Sequence, residues 1–106
     1  MMFDEAAKFL HATAVDKGFW NEEVNDIFIT KQLMMIVSEA VEVMEAIRKD
    51  KGEPAIRDEI ADILIRTLDL YEGMRQHGYV DGSLDDAFTE KIQFNKTRPE
   101  KHGVKF

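Results

Sequence analysis

Cysteine is absent from the 106 residues. Its absence excludes a disulfide scaffold, a thiolate metal site and a cysteine nucleophile, and it fits an intracellular chain. No apolar run approaches the length a bilayer requires, and the first residues, MMFDEAAKF, are acidic where a secretory leader would be basic. The expectation is a cytoplasmic protein with no membrane association. No stretch alternates apolar and polar residues as a half-buried strand would, and there is no internal repeat or low-complexity segment. The phosphate-cradling pattern GxxxxGK[ST] is also missing, so nucleotide chemistry through a P-loop is excluded. Ser38 and Ser83 have no evident His or Asp partners for nucleophilic catalysis.

Basic charge is scarce too. The net charge of -7 argues against binding a nucleic acid polymer, which needs a cationic face for its phosphates. The imbalance is uneven: residues 91–106 hold Lys91, Lys96, Arg98, Lys101 and Lys105 against Glu100, so they carry +4 and the preceding ninety residues carry -11. An acidic body with a basic end can bring a metal ion and a polyphosphate together; a solvated tail resting on an acidic surface is the plainer alternative.

What is present is helical periodicity. Phe3, Ala6, Ala7, Leu10 and Ala14 recur at three- and four-residue spacings, predicting a helix from Met2 to about Lys17 that ends at Gly18. Phe19, Trp20 and Asn21 form an aromatic connector. A long helix is expected from about Ile27 to Lys49, and another from about Pro54 to Gln76, separated by KDKGEP with its stop and restart signals. Ser83, with Asp86 three residues on, resembles a cap for a last helix reaching about Asn95. Gly73, Gly78 and Gly82 read as helix ends and turns, and Met34, Met35, Met44 and Met74 as packing residues. The expected fold is therefore all-α and four-helix-bundle-like, one domain over residues 1–98 with a basic tail at 99–106. Two helices of more than twenty residues carry more apolar surface than one small chain covers, so the bundle is expected to be completed by homo-oligomerisation, as a homodimer or a dimer of dimers.

The long helices carry the chemistry. In SEAVEVMEAI, Glu39, Glu42 and Glu45 stand three residues apart, an arrangement that repels itself unless a cation or solvent compensates. At about 100° per residue, Glu39 and Glu42 lie beside the apolar arc of Leu33, Ile36, Val37, Ala40, Val41, Val43, Met44 and Ile47, whereas Glu45 lies farther round as a surface charge. On the next helix Glu59 and Asp62 share a stripe with Arg66 and Asp69. If the two helices pack antiparallel, the pairs Glu39/Glu42 and Glu59/Asp62 face each other. Four such oxygen ligands suit Mg²⁺ or Mn²⁺; ordinary solvent-facing charge is the alternative. None of the three histidines follows a Glu at the Glu-x-x-His spacing of a di-iron bundle.

SEAVE followed by EIAD resembles the EExxE and ExxD signature of the MazG-like all-α nucleoside triphosphate pyrophosphohydrolases, a superfamily that includes dimeric dUTPases and dCTP pyrophosphatases. The ending KIQFNKTRPEKHGVK is similar to the K-x3-N-x2-R and HG-x-K ending of small MazG-like proteins, so the resemblance runs from about Lys31 to Lys105. Ser38 stands where the signature has its first Glu, one carboxylate fewer than that pattern supplies. The resemblance implies hydrolysis of a nucleoside triphosphate to its monophosphate and pyrophosphate in nucleotide-pool house-cleaning. Glu39, Glu42, Glu59 and Asp62 would hold the metal and Glu39 would accept a proton from water. Lys91, Asn95 and Arg98, spaced by four and three, would grip the pyrophosphate with Lys105 and His102 beyond them, a solvated basic face being the alternative; Trp20 would stack on the base, the alternative being that it and Phe19 plug the end of the bundle. His11, near the apolar arc of the first helix, is expected as a hydrogen-bonded core or boundary residue, and Arg66 as a partner of the acidic cluster, with a reach to phosphate as the alternative. Two alternatives stay open: a non-catalytic helical oligomerisation or docking module, and a phosphoribosyl-ATP pyrophosphohydrolase.

Overall fold

The computed structural model describes residues 2–100. Four helices follow in order, α1 (Phe3–Asp16), α2 (Asp26–Arg48), α3 (Glu53–Gln76) and α4 (Leu84–Thr97), and there is no strand among the described residues. The all-α expectation holds, with each boundary within a residue or two of the periodicity. None of these helices is long and apolar enough to cross a membrane.

Local chemistry sets the ends. Asn25 and Ser83 accept hydrogen bonds from the backbone N–H groups of Phe28 (2.9 Å) and Asp86 (3.1 Å), satisfying donors that the first helical turn leaves orphaned. The α2–α3 connection reverses through Asp50 and Gly52, both with positive φ, while the Lys51 N–H donates to the Ala46 carbonyl at 2.9 Å. That tight link folds α3 back along α2.

Helix α1 begins differently: Met2 offers no side-chain cap. Instead Asp85 of α4 accepts from the backbone N–H groups of Phe3 (2.8 Å) and Asp4 (3.2 Å). In return Asp4 accepts from the Leu84 N–H at 2.7 Å and from the Ser83 hydroxyl. Each helix thus caps the other's N-terminus, each carboxylate sits at the positive end of a helix dipole, and Phe3 packs on Phe88 with centroids 4.9 Å apart.

Helix α3 is central, packed by α2 and by α1, while α4 rests chiefly on α1. The core is small: Ala7, Phe28, Ile29, Ala46 and Leu70, with His11 and Glu72 as its buried polar members. Two expectations change here. Gly73 is neither a helix end nor a turn; it lies buried within α3, where a Cβ would overlap the Trp20 indole. Met34, Met35 and Met44 do not pack inside the single chain, and Met44 is 65% exposed. Met34 and Met44 belong to a wide apolar surface that includes Leu33, Val37, Val41, Ile47, Ile60 and Leu64, whereas Met35 lies on the Glu39 side of α2.

Candidate active site

Antiparallel packing of α2 on α3 brings the carboxylate stripes together. Glu39 from α2 and Glu59 and Asp62 from α3 each offer an oxygen within 4.8 Å of the others. Glu42, one turn along α2, is exposed and stands outside that tight group, though close enough to act on Glu59. The Glu59 carboxyl is raised above the usual carboxylate range by desolvation first, then by the negative charges of Glu42, Asp62 and Glu39. Such mutual repulsion favours any cation that settles among the oxygens. The protein's own answer is Arg66, whose Nε donates to Glu39 Oε1 at 2.8 Å. Glu45, by contrast, is bound to Arg48 (3.0 Å) and Lys49 (3.2 Å) on the helix surface, as expected of a plain surface charge.

Two of these carboxylates, Glu39 and Asp62, stand at one end of a groove of about 970 Å³ between α1, α2 and α3. Glu39, Asp62 and Arg66 line it at that end. Met34, Met35 and Ile65 contribute apolar walls, Leu10, Phe19 and Ile27 line it farther along the chain's N-terminal half, and Lys17 and Lys31 add positive charge. Asp69, two turns beyond Asp62 on α3, also reaches the groove.

Asp69 anchors a buried polar cluster. It accepts from His11 Nδ1 at 2.8 Å and from Trp20 Nε1 at 3.0 and 3.3 Å. An ionised carboxylate only accepts, so this His11 nitrogen carries the proton. Burial pushes the Asp69 carboxyl upward, opposed by the His11 and Trp20 hydrogen bonds and the Arg66 charge. The Trp20 ring meets His11 edge-on at 4.6 Å, tilts against Phe28 at 5.1 Å and stacks on His77 at 6.2 Å. His11 is therefore a hydrogen-bonded core histidine, as expected, and Trp20 is held on several sides by the protein itself.

The other expected substrate residues lie elsewhere. Lys91, Asn95 and Arg98 belong to α4 and its end, on the α1 side of the molecule, and none lines the groove. Lys91 Nζ and Arg98 Cζ lie 5.2 and 5.5 Å from the Phe94 ring centroid, in cation–π range. Lys105 and His102 fall outside the described residues. The groove's cations are instead Lys17, Lys31 and Arg66. Arg66 and Asp69 were visible in sequence as members of the Glu59/Asp62 stripe; Lys17 and Lys31 carried no such signal.

Fold and site together define a class: an all-α protein whose paired helices set a cluster of carboxylates at the end of a ligand-sized groove. A family model described as the MazG nucleotide pyrophosphohydrolase domain matches residues 21–101. The chain belongs to that family. The match spans α2, α3 and α4, whereas α1, with His11 and the groove residues Leu10 and Lys17, precedes it. No curated protein and no solved structure matches the chain.

Proposed function

We propose that this protein hydrolyses a ribo- or deoxyribonucleoside triphosphate to the monophosphate and pyrophosphate, with Mg²⁺ or Mn²⁺ as cofactor and removal of unwanted nucleotides as its role. One observation carries the reading: Glu39, Glu59 and Asp62 converge from two helices, and Glu39 and Asp62 stand at one end of a groove whose remaining walls are largely apolar. The donor set fits a hard divalent cation, which takes carboxylate oxygens together with substrate phosphates and water. Bound there, such a cation supplies neutralisation of the triphosphate charge and acidification of a nearby water.

The chain's own residues supply the rest. Glu39, Glu59 and Asp62 hold the ion, with Glu42 alongside. Arg66, Lys17 and Lys31 balance negative charge along the groove. Phe19, with Leu10 and Ile27, offers an apolar surface for the base, near Trp20 fixed on Asp69. Water attacks the α-phosphorus, its proton passes to a carboxylate of the cluster, for which Glu39 is our choice, and pyrophosphate departs as the leaving group.

The working unit is a homodimer or a dimer of dimers. The chain exposes 7949 Å², against about 6,000 Å² for a folded monomer of this mass, and an excess of roughly 1,900 Å² per chain is on the scale that an obligate homodimer buries. Leu33, Val37, Val41, Met44, Ile47, Ile60 and Leu64 form the face that a second copy covers. The expected grip of Lys91, Asn95 and Arg98 on pyrophosphate is assigned to this assembly and not to the single chain.

The test is product analysis after incubating the protein and Mg²⁺ with each common ribo- and deoxyribonucleoside triphosphate. Metal-dependent release of pyrophosphate and monophosphate is the expected result. Silence across the panel by a folded protein overturns it, and phosphoribosyl-ATP is then the next substrate to offer.

A further inference from the structure

Arg66 occupies a position between two kinds of ligand. Its Nε binds one oxygen of Glu39, while Glu39 also belongs to the group whose oxygens lie within 4.8 Å of one another. This pair is only partly exposed, 38% for the Arg66 side chain and 15% for that of Glu39, so the geometry is held more firmly than in a surface ion pair. The bond to Glu39 uses one of the five N–H donors of a guanidinium. Arg66 also lines the groove itself, one turn from Asp62 and within electrostatic reach of Asp69.

We propose that Arg66 is a positioning residue that couples the metal site to the phosphate site: its Nε orients Glu39 toward Glu59 and Asp62, while its remaining donors take a phosphate oxygen of the bound substrate. This rests on the metal-site reading given above. Two physical points support it. A ligand carboxylate fixed by an outer hydrogen bond binds metal better than a free one, typically by tenfold or more. A planar guanidinium can serve a carboxylate and a phosphate oxygen together, which a lysine ammonium does with less geometric definition.

The experiment compares wild type, Arg66→Lys and Arg66→Gln by two direct binding measurements. The first is Mn²⁺ affinity without nucleotide, from the paramagnetic resonance of free Mn²⁺. The second is calorimetric binding of inorganic pyrophosphate at saturating Mg²⁺. Melting temperatures show that each variant is folded. The expected result is a loss of about tenfold in Mn²⁺ affinity for Arg66→Gln, together with weaker pyrophosphate binding, and intermediate values for Arg66→Lys. A purely structural Arg66 would change the melting temperature and neither affinity. Tighter Mn²⁺ binding by Arg66→Gln would show that Arg66 competes with the metal and would overturn the proposal, as would an Arg66→Lys variant indistinguishable from wild type. Failure of the wild type itself to bind Mn²⁺ overturns the metal-site reading and this inference with it.

Discussion

Asp62 and Asp69 stand two turns apart on one face of α3, and the protein treats them in opposite ways. Asp69 is surrounded by donors: the His11 imidazole and the Trp20 indole both bind it, and the Arg66 charge lies nearby. Asp62 is exposed, with Glu39 and Glu59 as its close neighbours. One end of the groove is finished as a structure; the other has like charges that its own chain only partly balances. Folding stability is the natural reason for the first arrangement. The second costs stability, a cost that the metal binding proposed above would offset.

Substitution separates the two ends. The largest effect is expected from Asp62→Asn, which removes one carboxylate oxygen from the proposed metal site. We expect turnover to fall at least about a hundredfold, with the melting temperature unchanged or slightly raised as repulsion is relieved; steady-state rates and thermal unfolding check both. Full activity in this variant would remove Asp62 from the site. Next in size is Gly73→Ala. Its methyl group would enter the Trp20 ring, and because the indole is also held by Asp69, Phe28 and His77, it cannot step aside freely. A loss of about 1 to 3 kcal/mol is expected from such overpacking, measured by urea unfolding, with no residue of the acidic end altered.

Asp69→Ala completes the comparison. It strands the His11 and Trp20 donors in a largely buried setting and should cost about 2 kcal/mol, the penalty of unsatisfied buried donors. Unlike Asp62→Asn, it should lower the melting temperature and leave Mn²⁺ affinity nearly intact. If the two aspartate variants behaved alike, the division of the groove into a structural and a chemical end would be wrong.

Some of this division was readable from the chain. The helices follow from apolar spacing, and the acidic end follows from two ExxE/ExxD pairs on consecutive helices, because i,i+3 spacing decides which side chains share a face. The other end depends on contacts that no local rule sees. Gly73 reads as punctuation until Trp20, fifty-three positions earlier, is found lying on it. The reciprocal caps between Asp4 and Asp85 join residues about eighty positions apart, so α1 appears in sequence to start with no cap. Lys17 and Lys31 look like any solvated lysines, and only the packing of α1 and α2 against the shared helix α3 makes them part of one groove. The methionines of α2 carry the opposite lesson: helical spacing identifies an apolar face but does not say whether the covering partner lies in the same chain.

The smallest expected effect concerns a third acid on α3, Glu72, which resembles Asp69 in being satisfied and lies one turn farther along. It is 3% exposed and accepts from Arg75 (2.9 and 2.8 Å) and from Gln76 (2.9 Å). The Arg75 hydrogen bonds dominate over the desolvation that opposes them and bring the Glu72 carboxyl down to about 2, from 4.5. Because the folded value lies below the unfolded one, the unfolded chain binds the proton first as pH drops. The stability that Glu72 contributes is therefore fully present above about pH 4.5 and is lost as the pH falls through 4.5 toward 2. Glu72→Gln removes this dependence and at pH 6 should cost about 1.5 kcal/mol, the lower end of the scale for a hydrogen bond to a charged group. Thermal unfolding of both proteins between pH 2.5 and 6 should show wild type more stable at the upper end and the two converging at the lower. A gap that stayed constant with pH would mean that Glu72 acts by packing and not by charge, and the contrast with the acidic end of the groove would then rest on Asp69 alone.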